Sequence, residues 1–264
     1  MHEESDAPVL LDIDEGIARL TLNRPSRLNA IDGGVQVALR AALDQIEGNP
    51  QIRALILTGA GRAFCAGQDL GERAAMLADG DVDLHASLEE NYNPLIRRLA
   101  ALPCPIIAAV NGMAAGAGAA LAIGCDIVLA ARSARFQFAF AKLGLGPDSG
   151  ASWLLPRLVG QGRAMALALT AEPVDAVEAV RIGLAWKLVE DAELMPTAAR
   201  IAQMCVSSSR PALTAIRQQL RTSWTLSFDA ALDMERDAQG LLGRSPEYRE
   251  AVVAFISRRS PGFE

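Results

Sequence analysis

The chain has 264 residues and a formal net charge of −6, with 51% hydrophobic and 21% charged residues. This balance predicts a globular protein with one large domain, or one domain with a smaller appendage. The acidic net charge argues against a nucleic-acid-binding protein, which usually presents a basic face. Four cysteines without a C-x-x-C pair, together with two histidines, exclude a zinc site and a disulfide framework as organising features.

The N-terminal residues MHEESDAP are polar and lack the apolar core of a signal peptide. The apolar runs are interrupted well short of the ~20 residues that a spanning helix needs. We therefore expect a soluble, cytoplasmic protein without a bound metal.

Strand and helix patterns alternate over the first two hundred residues, which predicts an α/β fold with largely parallel, buried strands. The predicted strands are 9–13, 17–22, 52–58, 105–110, 127–131, 134–139 and 185–189. The predicted helices are 32–47, 69–77, 86–102 and 118–123, one that starts near 151, and then 163–170 and 174–182.

Only helical patterns follow, at 197–207, 211–222, 226–242 and 246–259. Because the alternation stops there, we expect residues 1–200 to form the core. Residues 201–264 are expected to form a helical C-terminal region.

The stretch from Pro105 to Asp126 combines an apolar strand with a turn and a helix made almost wholly of Ala and Gly. Such small side chains let a ligand approach the backbone, and a helix that begins there directs unpaired N–H groups at it. Tight helix packing favours the same residues, so this stretch alone leaves both interpretations open.

A second small-residue turn, Cys65-Ala66-Gly67, follows the strand at 52–58. Ligands of α/β proteins usually bind where strands end in such turns. The sequence contains neither G-x-x-x-x-G-K-[ST] nor G-x-S-x-G, and two histidines make a Ser-His-Asp triad improbable. The remaining type of catalysis is one in which backbone N–H groups stabilise an oxyanion and a carboxylate acts as the base.

The string Ala63-Phe64-Cys65-Ala66-Gly67-Gln68-Asp69-Leu70, followed by Ala108-Ala109-Val110-Asn111-Gly112-x-Ala114-x-Gly116-x-Gly118, resembles the crotonase (enoyl-CoA hydratase/isomerase) family. The resemblance extends over nearly the whole chain. It implies a spiral of β-β-α units, a C-terminal helical trimerisation region, and a homotrimer or dimer of trimers. It also implies an acyl-CoA substrate, with the oxyanion hole at the amides of Ala66 and Ala117.

The same resemblance implies further substrate contacts and no separate cofactor, since coenzyme A is part of the substrate. The implied contacts are Arg24, Arg27, Ala63, Gln68, Asp69, Leu70 and Gly116. Two interpretations stay open for Arg24 and Arg27, which either meet CoA phosphates or are solvated loop residues. Asp69 is expected to cap the helix that follows it, with its backbone near the ligand.

Two departures from the family pattern bear on the chemistry. Hydratases of this family use two glutamates to orient and activate water, and the matching positions here hold Ala120 and Phe140. Asp148, in Gly-Leu-Gly-Pro-Asp-Ser-Gly, is the one carboxylate in a plausible place. By itself that segment favours a turn and a helix N-cap.

The sequence around Asp148 resembles isomerases of this family that act on a ring-epoxide acyl-CoA. We therefore expect an acyl-CoA isomerase with Asp148 as its single base. A Δ3/Δ2-enoyl-CoA isomerase, an enoyl-CoA hydratase and a non-catalytic acyl-CoA-binding protein remain the alternatives.

Overall fold

The computed structural model describes residues 7–80 and 82–263. Its strands are β1 (Val9–Asp14), β2 (Ile17–Leu22), β3 (Ala54–Gly59), β4 (Ala63–Cys65), β5 (Ile106–Val110), β6 (Met113–Ala115), β7 (Ile127–Ala131), β8 (Arg135–Gln137), β9 (Val174–Asp175) and β10 (Lys187–Val189). Its helices are α1 (Gly33–Gly48), α2 (Leu70–Asp79), α3 (Leu84–Ser87), α4 (Asn93–Ala101), α5 (Ala117–Ile123), α6 (Ala151–Val159), α7 (Gln161–Thr170), α8 (Ala176–Arg181), α9 (Leu194–Val206), α10 (Arg210–Thr222), α11 (Phe228–Leu242) and α12 (Pro246–Ile256).

Two sheets form the framework of the fold. The larger has the order β1-β2-β3-β5-β7-β10, and every pair in it except the β1–β2 hairpin is parallel. The smaller has the order β4-β6-β8-β9, with only its last pair antiparallel. β3 and β5 are buried along their whole lengths, as expected for central parallel strands. The expected α/β class is thereby confirmed.

The two strands of the larger sheet that precede the predicted small-residue turns, β3 and β5, are each followed directly by a short strand of the smaller sheet. β3 leads into β4, and β5 leads into β6. Because β4 and β6 pair with each other, the chain segments that leave β3 and β5 are held side by side. This β-β-α repeat therefore places the two predicted turns next to each other.

The long helix predicted at 86–102 is interrupted in the structure. It is divided into α3, a π-helical turn at Leu88–Tyr92, and α4. Pro94 lies in the first turn of α4, directly after the π-helical turn, and its missing N–H removes one helical hydrogen bond there. The interruption is a local widening of the helix, and π-helical turns are often found at functional sites.

The predicted boundary at residue 200 falls inside α9. This helix packs against β3, β5 and β7, and it buries Leu194, Ala198 and Ile201. Its packing assigns it to the core, so the helical C-terminal region begins after Val206.

α10 is fastened to the core by the carboxylate of Asp126, which follows α5. Arg217 Nε and Arg221 Nη2 donate to this carboxylate over 2.7 and 2.8 Å, and the Ile106 amide donates to it over 2.8 Å. Within the described residues, no helix is both long and apolar enough to cross a membrane.

Candidate functional site

The two small-residue turns meet through their backbones. A Cβ atom on Gly67 would lie 2.7 Å from the Ala115 carbonyl oxygen and 3.3 Å from the Ala117 amide nitrogen. A Cβ on Gly118 would lie only 2.2 Å from the Cys65 carbonyl oxygen. No residue other than glycine fits such contacts unless the backbone moves. The turn after β4 therefore lies directly against the start of α5.

The Ala117 amide is free to bind a ligand. Ala117 is the first residue of α5, so its N–H has no carbonyl four residues earlier in the helix, and no other backbone acceptor exists for it among the described residues. The preceding Gly116 has φ +51°, and its missing side chain leaves open space on that side. Its own amide donates to the Gln137 carbonyl over 2.9 Å, which holds the turn in place.

The structure corrects the prediction that Ala66 supplies the second donor. The Ala66 amide already donates to the Leu28 carbonyl over 3.0 Å. The amide of Gln68 lies two residues further along and has no backbone acceptor in the described chain, while its neighbours Gly67 and Asp69 bond to Ile31 on either side of it. The free backbone amide on this turn is therefore that of Gln68, whereas the Ala66 amide anchors the turn to Leu28.

Cys65 supports the turn and is not a nucleophile. It is fully buried, and its sulfur accepts a contact from the Gly67 amide at 3.4 Å. Burial raises the pKa of the Cys65 thiol to about 12. A thiol that stays protonated at neutral pH reacts slowly.

Asp69 is confirmed as a helix cap. Its Oδ1 accepts from the amides of Gly71 and Glu72 at the start of α2, over 2.9 and 3.3 Å. The Arg24 guanidinium pairs with Asp69 over 3.0 Å and with Asp32 over 2.8 Å. Burial opposes ionisation of Asp69, but these contacts together hold its pKa below the usual range. A carboxylate occupied in this way is not a base.

The ion pairs contradict one of the two interpretations of Arg24, that of a solvated loop residue. With two carboxylates and the Ala30 carbonyl as partners, its side chain joins the first loop to α2, and its contact with CoA phosphates stays a prediction. Arg27, in contrast, is exposed and has no ion pair among the described residues. It stays a candidate for a phosphate contact.

The remaining residues predicted to contact the substrate differ in how far they are buried. Ala63 is 1% exposed, and its carbonyl accepts from the Asn29 side chain over 2.7 Å, so it supports the turn from beneath and does not reach a ligand. Leu70 begins α2 and is 53% exposed. It can cover a ligand bound at the turn.

The side chain of Asp148 does not bond to α6, the helix that follows it. Only its backbone carbonyl bonds to α6, through the Ala151 amide at 2.8 Å, and no side chain caps that helix. Its Oδ1 is buried and has no hydrogen-bond partner among the described residues, and the same holds for the hydroxyl of Ser149. The turn-and-cap interpretation of this segment is therefore wrong for the side chain.

Burial raises the pKa of the Asp148 carboxyl above the usual range of aspartate, and the adjacent Ser149 hydroxyl opposes that rise. A carboxylate with a raised pKa is a stronger base than a solvated one. In the same region, Ala120 is fully buried in α5 and Phe140 is 5% exposed. Neither side chain can carry a proton.

The sequence interpretation did not include Tyr92. This residue ends the π-helical turn and is only 4% exposed. Burial raises the pKa of its phenol, and a hydrogen bond from the Gln36 side chain opposes that rise. The available sequence signal was a tyrosine two residues before a proline in a predicted helix, which does not indicate a functional role.

The loop that carries Asp148 is braced by the C-terminal region. Trp153 in α6 packs on Trp224, which follows α10, with ring centroids 5.2 Å apart. The Arg157 guanidinium lies 4.1 Å from the Trp153 ring centroid, within range of a cation–π contact. α6 is thereby held between the core and α10.

Comparisons with known proteins identify the family. Residues 12–264 match the model of a family described as enoyl-CoA hydratase/isomerase. The 1,2-epoxyphenylacetyl-CoA isomerase of Escherichia coli (strain K12) is 49% identical over 97% of both chains. The short-chain-enoyl-CoA hydratase of Clostridium acetobutylicum is 37% identical over 95% of both.

A solved structure gives the same result for the fold. The enoyl-CoA hydratase/isomerase of Cupriavidus metallidurans CH34 superposes with a TM-score of 0.91 at 32% identity, covering 99% of this chain and 98% of that one. The chain belongs to the enoyl-CoA hydratase/isomerase family.

Proposed function

We propose that this member of the enoyl-CoA hydratase/isomerase family is an acyl-CoA isomerase, which moves a proton within the acyl group and adds no water. One observation carries the proposal. Asp148 is a half-buried carboxylate whose Oδ1 has no hydrogen-bond partner among the described residues and whose pKa is raised, whereas Ala120 and Phe140 fill the positions where hydratases are expected to carry glutamates. A single base suffices to remove a proton and return it elsewhere.

The thioester oxygen would accept hydrogen bonds from the Gln68 and Ala117 amides. As the α-carbon loses its proton, negative charge develops on that oxygen, and preorganised donors stabilise it. Asp148 takes the proton and then returns it to another carbon of the conjugated system, so that the enzyme ends in its starting protonation state.

The favoured substrate is 1,2-epoxyphenylacetyl-CoA, by analogy with the Escherichia coli relative and in keeping with a role in phenylacetate catabolism. In this isomerisation the epoxide ring opens and expands to a seven-membered oxygen ring, and the α-proton moves to a ring carbon. A Δ3/Δ2-enoyl-CoA isomerase would use the same donors and base. Assays on both substrates separate the two reactions.

Asp148→Asn should lower kcat by roughly 10²–10⁴-fold, because it removes the base without changing its shape. Steady-state kinetics with the epoxide and with a 3-enoyl-CoA measures this loss. Binding of a CoA thioester, followed by calorimetry, should remain. Asp14→Asn, at an exposed aspartate, is the matched control.

Undiminished turnover in Asp148→Asn would exclude Asp148 as the base. Thioester binding by the wild type without turnover of either substrate would favour a non-catalytic binding protein. Incorporation of solvent oxygen into the product would indicate a hydratase.

The activity should depend on the ionisation of Asp148. Since burial raises its pKa, kcat/KM should fall with decreasing pH already above the range where a solvated aspartate titrates. Ser149→Ala should move this acidic limb to higher pH, because the hydroxyl lowers the pKa. A pH–rate profile of both proteins measures the limb, and an unchanged limb in Ser149→Ala contradicts this role of Ser149.

Gly67→Ala should lower kcat by roughly 10²–10³-fold, the usual effect of losing one oxyanion donor. The added methyl group would meet the Ala115 carbonyl and the Ala117 amide and push the two turns apart. Gly144→Ala is the matched control, since Gly144 also has a positive φ but open space around it. If both variants lose activity equally, backbone strain is the cause and the turn contact is not.

We also propose that copies of this chain associate through the C-terminal helices. Residues on α11 and α12 expose large apolar side chains, with Phe228 77% and Phe255 83% exposed. Several large apolar side chains exposed on two consecutive helices are typical of a protein interface. The resemblance noted above favours a trimer or a dimer of trimers.

Sedimentation equilibrium should therefore give a mass of three or six chains. Replacing both Phe255 and Ile256 by Ser should shift the distribution to smaller species, whereas Val37→Ser, at an exposed valine on α1, should not. A monomeric wild type would refute this assembly.

A further inference from the structure

The loop between β2 and α1 contains a buried asparagine. Asn29 is 1% exposed, and its backbone lies in the left-handed region with φ +57°. Asparagine tolerates this conformation better than most residues. A buried side-chain amide costs stability unless its polar atoms are bonded, and both the nitrogen and the oxygen of Asn29 are bonded. The side chain is therefore a fixed part of the structure around the loop.

The Asn29 side chain joins its own loop to the segment between β3 and β4. Its Nδ2 donates to the Ala60 carbonyl over 2.9 Å and to the Ala63 carbonyl over 2.7 Å. Its Oδ1 accepts from the Arg24 amide over 2.8 Å. Ala60 follows β3 and Ala63 begins β4, so a single side chain fixes the connection between these two strands to the loop.

The same loop holds the turn that carries the free Gln68 amide. The Ile31 amide donates to the Gly67 carbonyl over 2.7 Å, and the Ile31 carbonyl accepts from the Asp69 amide over 2.9 Å. These two bonds hold the turn on both sides of Gln68 and leave its own amide without a backbone acceptor in the described chain. The direction of the Gln68 amide therefore depends on where Ile31 lies.

A further bond links the turn to the residue before Asn29. The Leu28 carbonyl accepts from the Ala66 amide over 3.0 Å. Leu28 has φ +52°, so two consecutive residues of the loop are in the left-handed region. Such backbone is strained and persists only where its surroundings hold it. The hydrogen bonds of the Asn29 side chain hold it here.

We propose that Asn29 is a positioning residue for the oxyanion hole, because it fixes the loop that directs the Gln68 amide at the thioester oxygen. This inference rests on the proposed function, in which the Gln68 and Ala117 amides bind that oxygen. Asn29 acts through the loop and does not touch the substrate. A preorganised donor stabilises the oxyanion only when it is well aimed, and an error of about 1 Å in its position costs roughly 10²-fold in rate.

Two substitutions remove the Nδ2 donor in different ways. Asn29→Gly deletes the side chain, and glycine adopts a φ of +57° without strain. Asn29→Asp keeps the size and the acceptor oxygen but places an oxygen against two carbonyls. Both should lower kcat by roughly 10–10²-fold, as a misplaced donor does. KM should change little, because the oxyanion contact strengthens mainly in the transition state.

An absorption spectrum reports the oxyanion donors without turnover. The absorption of bound 4-(dimethylamino)cinnamoyl-CoA moves to longer wavelength when hydrogen bonds polarise its thioester carbonyl. The wild type should produce this red shift. Both Asn29 variants should still bind the probe, and each should show a smaller red shift.

Asn111→Ala is the matched control. The Asn111 side chain donates to the Gly61 carbonyl over 2.9 Å and to the Ala63 carbonyl over 3.3 Å, and it accepts from the Gly59 amide over 3.3 Å. It thus braces the same connection between β3 and β4 without bonding to the loop of Asn29. Asn111→Ala should lower the thermal midpoint, as Asn29→Gly does, but leave kcat and the red shift near the wild-type values.

A full red shift in the Asn29 variants, or an equal loss in Asn111→Ala, would overturn the role of Asn29. Failure of both Asn29 variants to fold would also overturn it, since the side chain would then serve the fold as a whole. A wild type without a red shift would leave no donor to position and would refute it too. A wild type that shifts the probe but converts neither substrate refutes the isomerase alone, and the spectra still decide the role of Asn29.

Discussion

Close contact between two backbone turns is the constraint on which the site depends. Gly67 lies against Ala115 and Ala117, and Gly118 lies against Cys65, at distances that leave no room for a Cβ. The pairing of β4 with β6 brings the turns together, and the glycines allow the final approach. Two amides that belong to different β-β-α units can then serve one oxygen, without any special side chain.

The site is defined by which polar groups the fold leaves unpaired. The Ala66 amide and the Asp69 carboxylate both belong to the small-residue turn after β4, but each already has a partner. The Ala66 amide donates to the Leu28 carbonyl, and the Asp69 carboxylate accepts from amides of α2. Within the described chain, the Gln68 amide has no backbone acceptor and Asp148 Oδ1 has no hydrogen-bond donor. A proton acceptor and an oxyanion donor need this freedom, since a group already bonded must first give up its partner to bind a ligand.

Two unpaired buried atoms lie at the base itself. Asp148 Oδ1 and the hydroxyl of the adjacent Ser149 lack a hydrogen-bond partner among the described residues. Such atoms reduce stability, so their position at the base suits a site built to bind a polar ligand. The cost is offset elsewhere, for example where Asp126 joins α10 to the core through Arg217 and Arg221.

The sequence by itself determined the buried strands, the two small-residue turns and the absence of glutamate at positions 120 and 140, because these follow from local composition and spacing. It could not determine which amide is free, since the Ala66 acceptor lies 38 residues away at Leu28. Nor could it separate a capping aspartate from a free one, or find Tyr92, whose neighbours come from distant segments. Only the tertiary structure decides these points, because hydrogen-bond partners and burial are set by contacts between segments far apart in the chain.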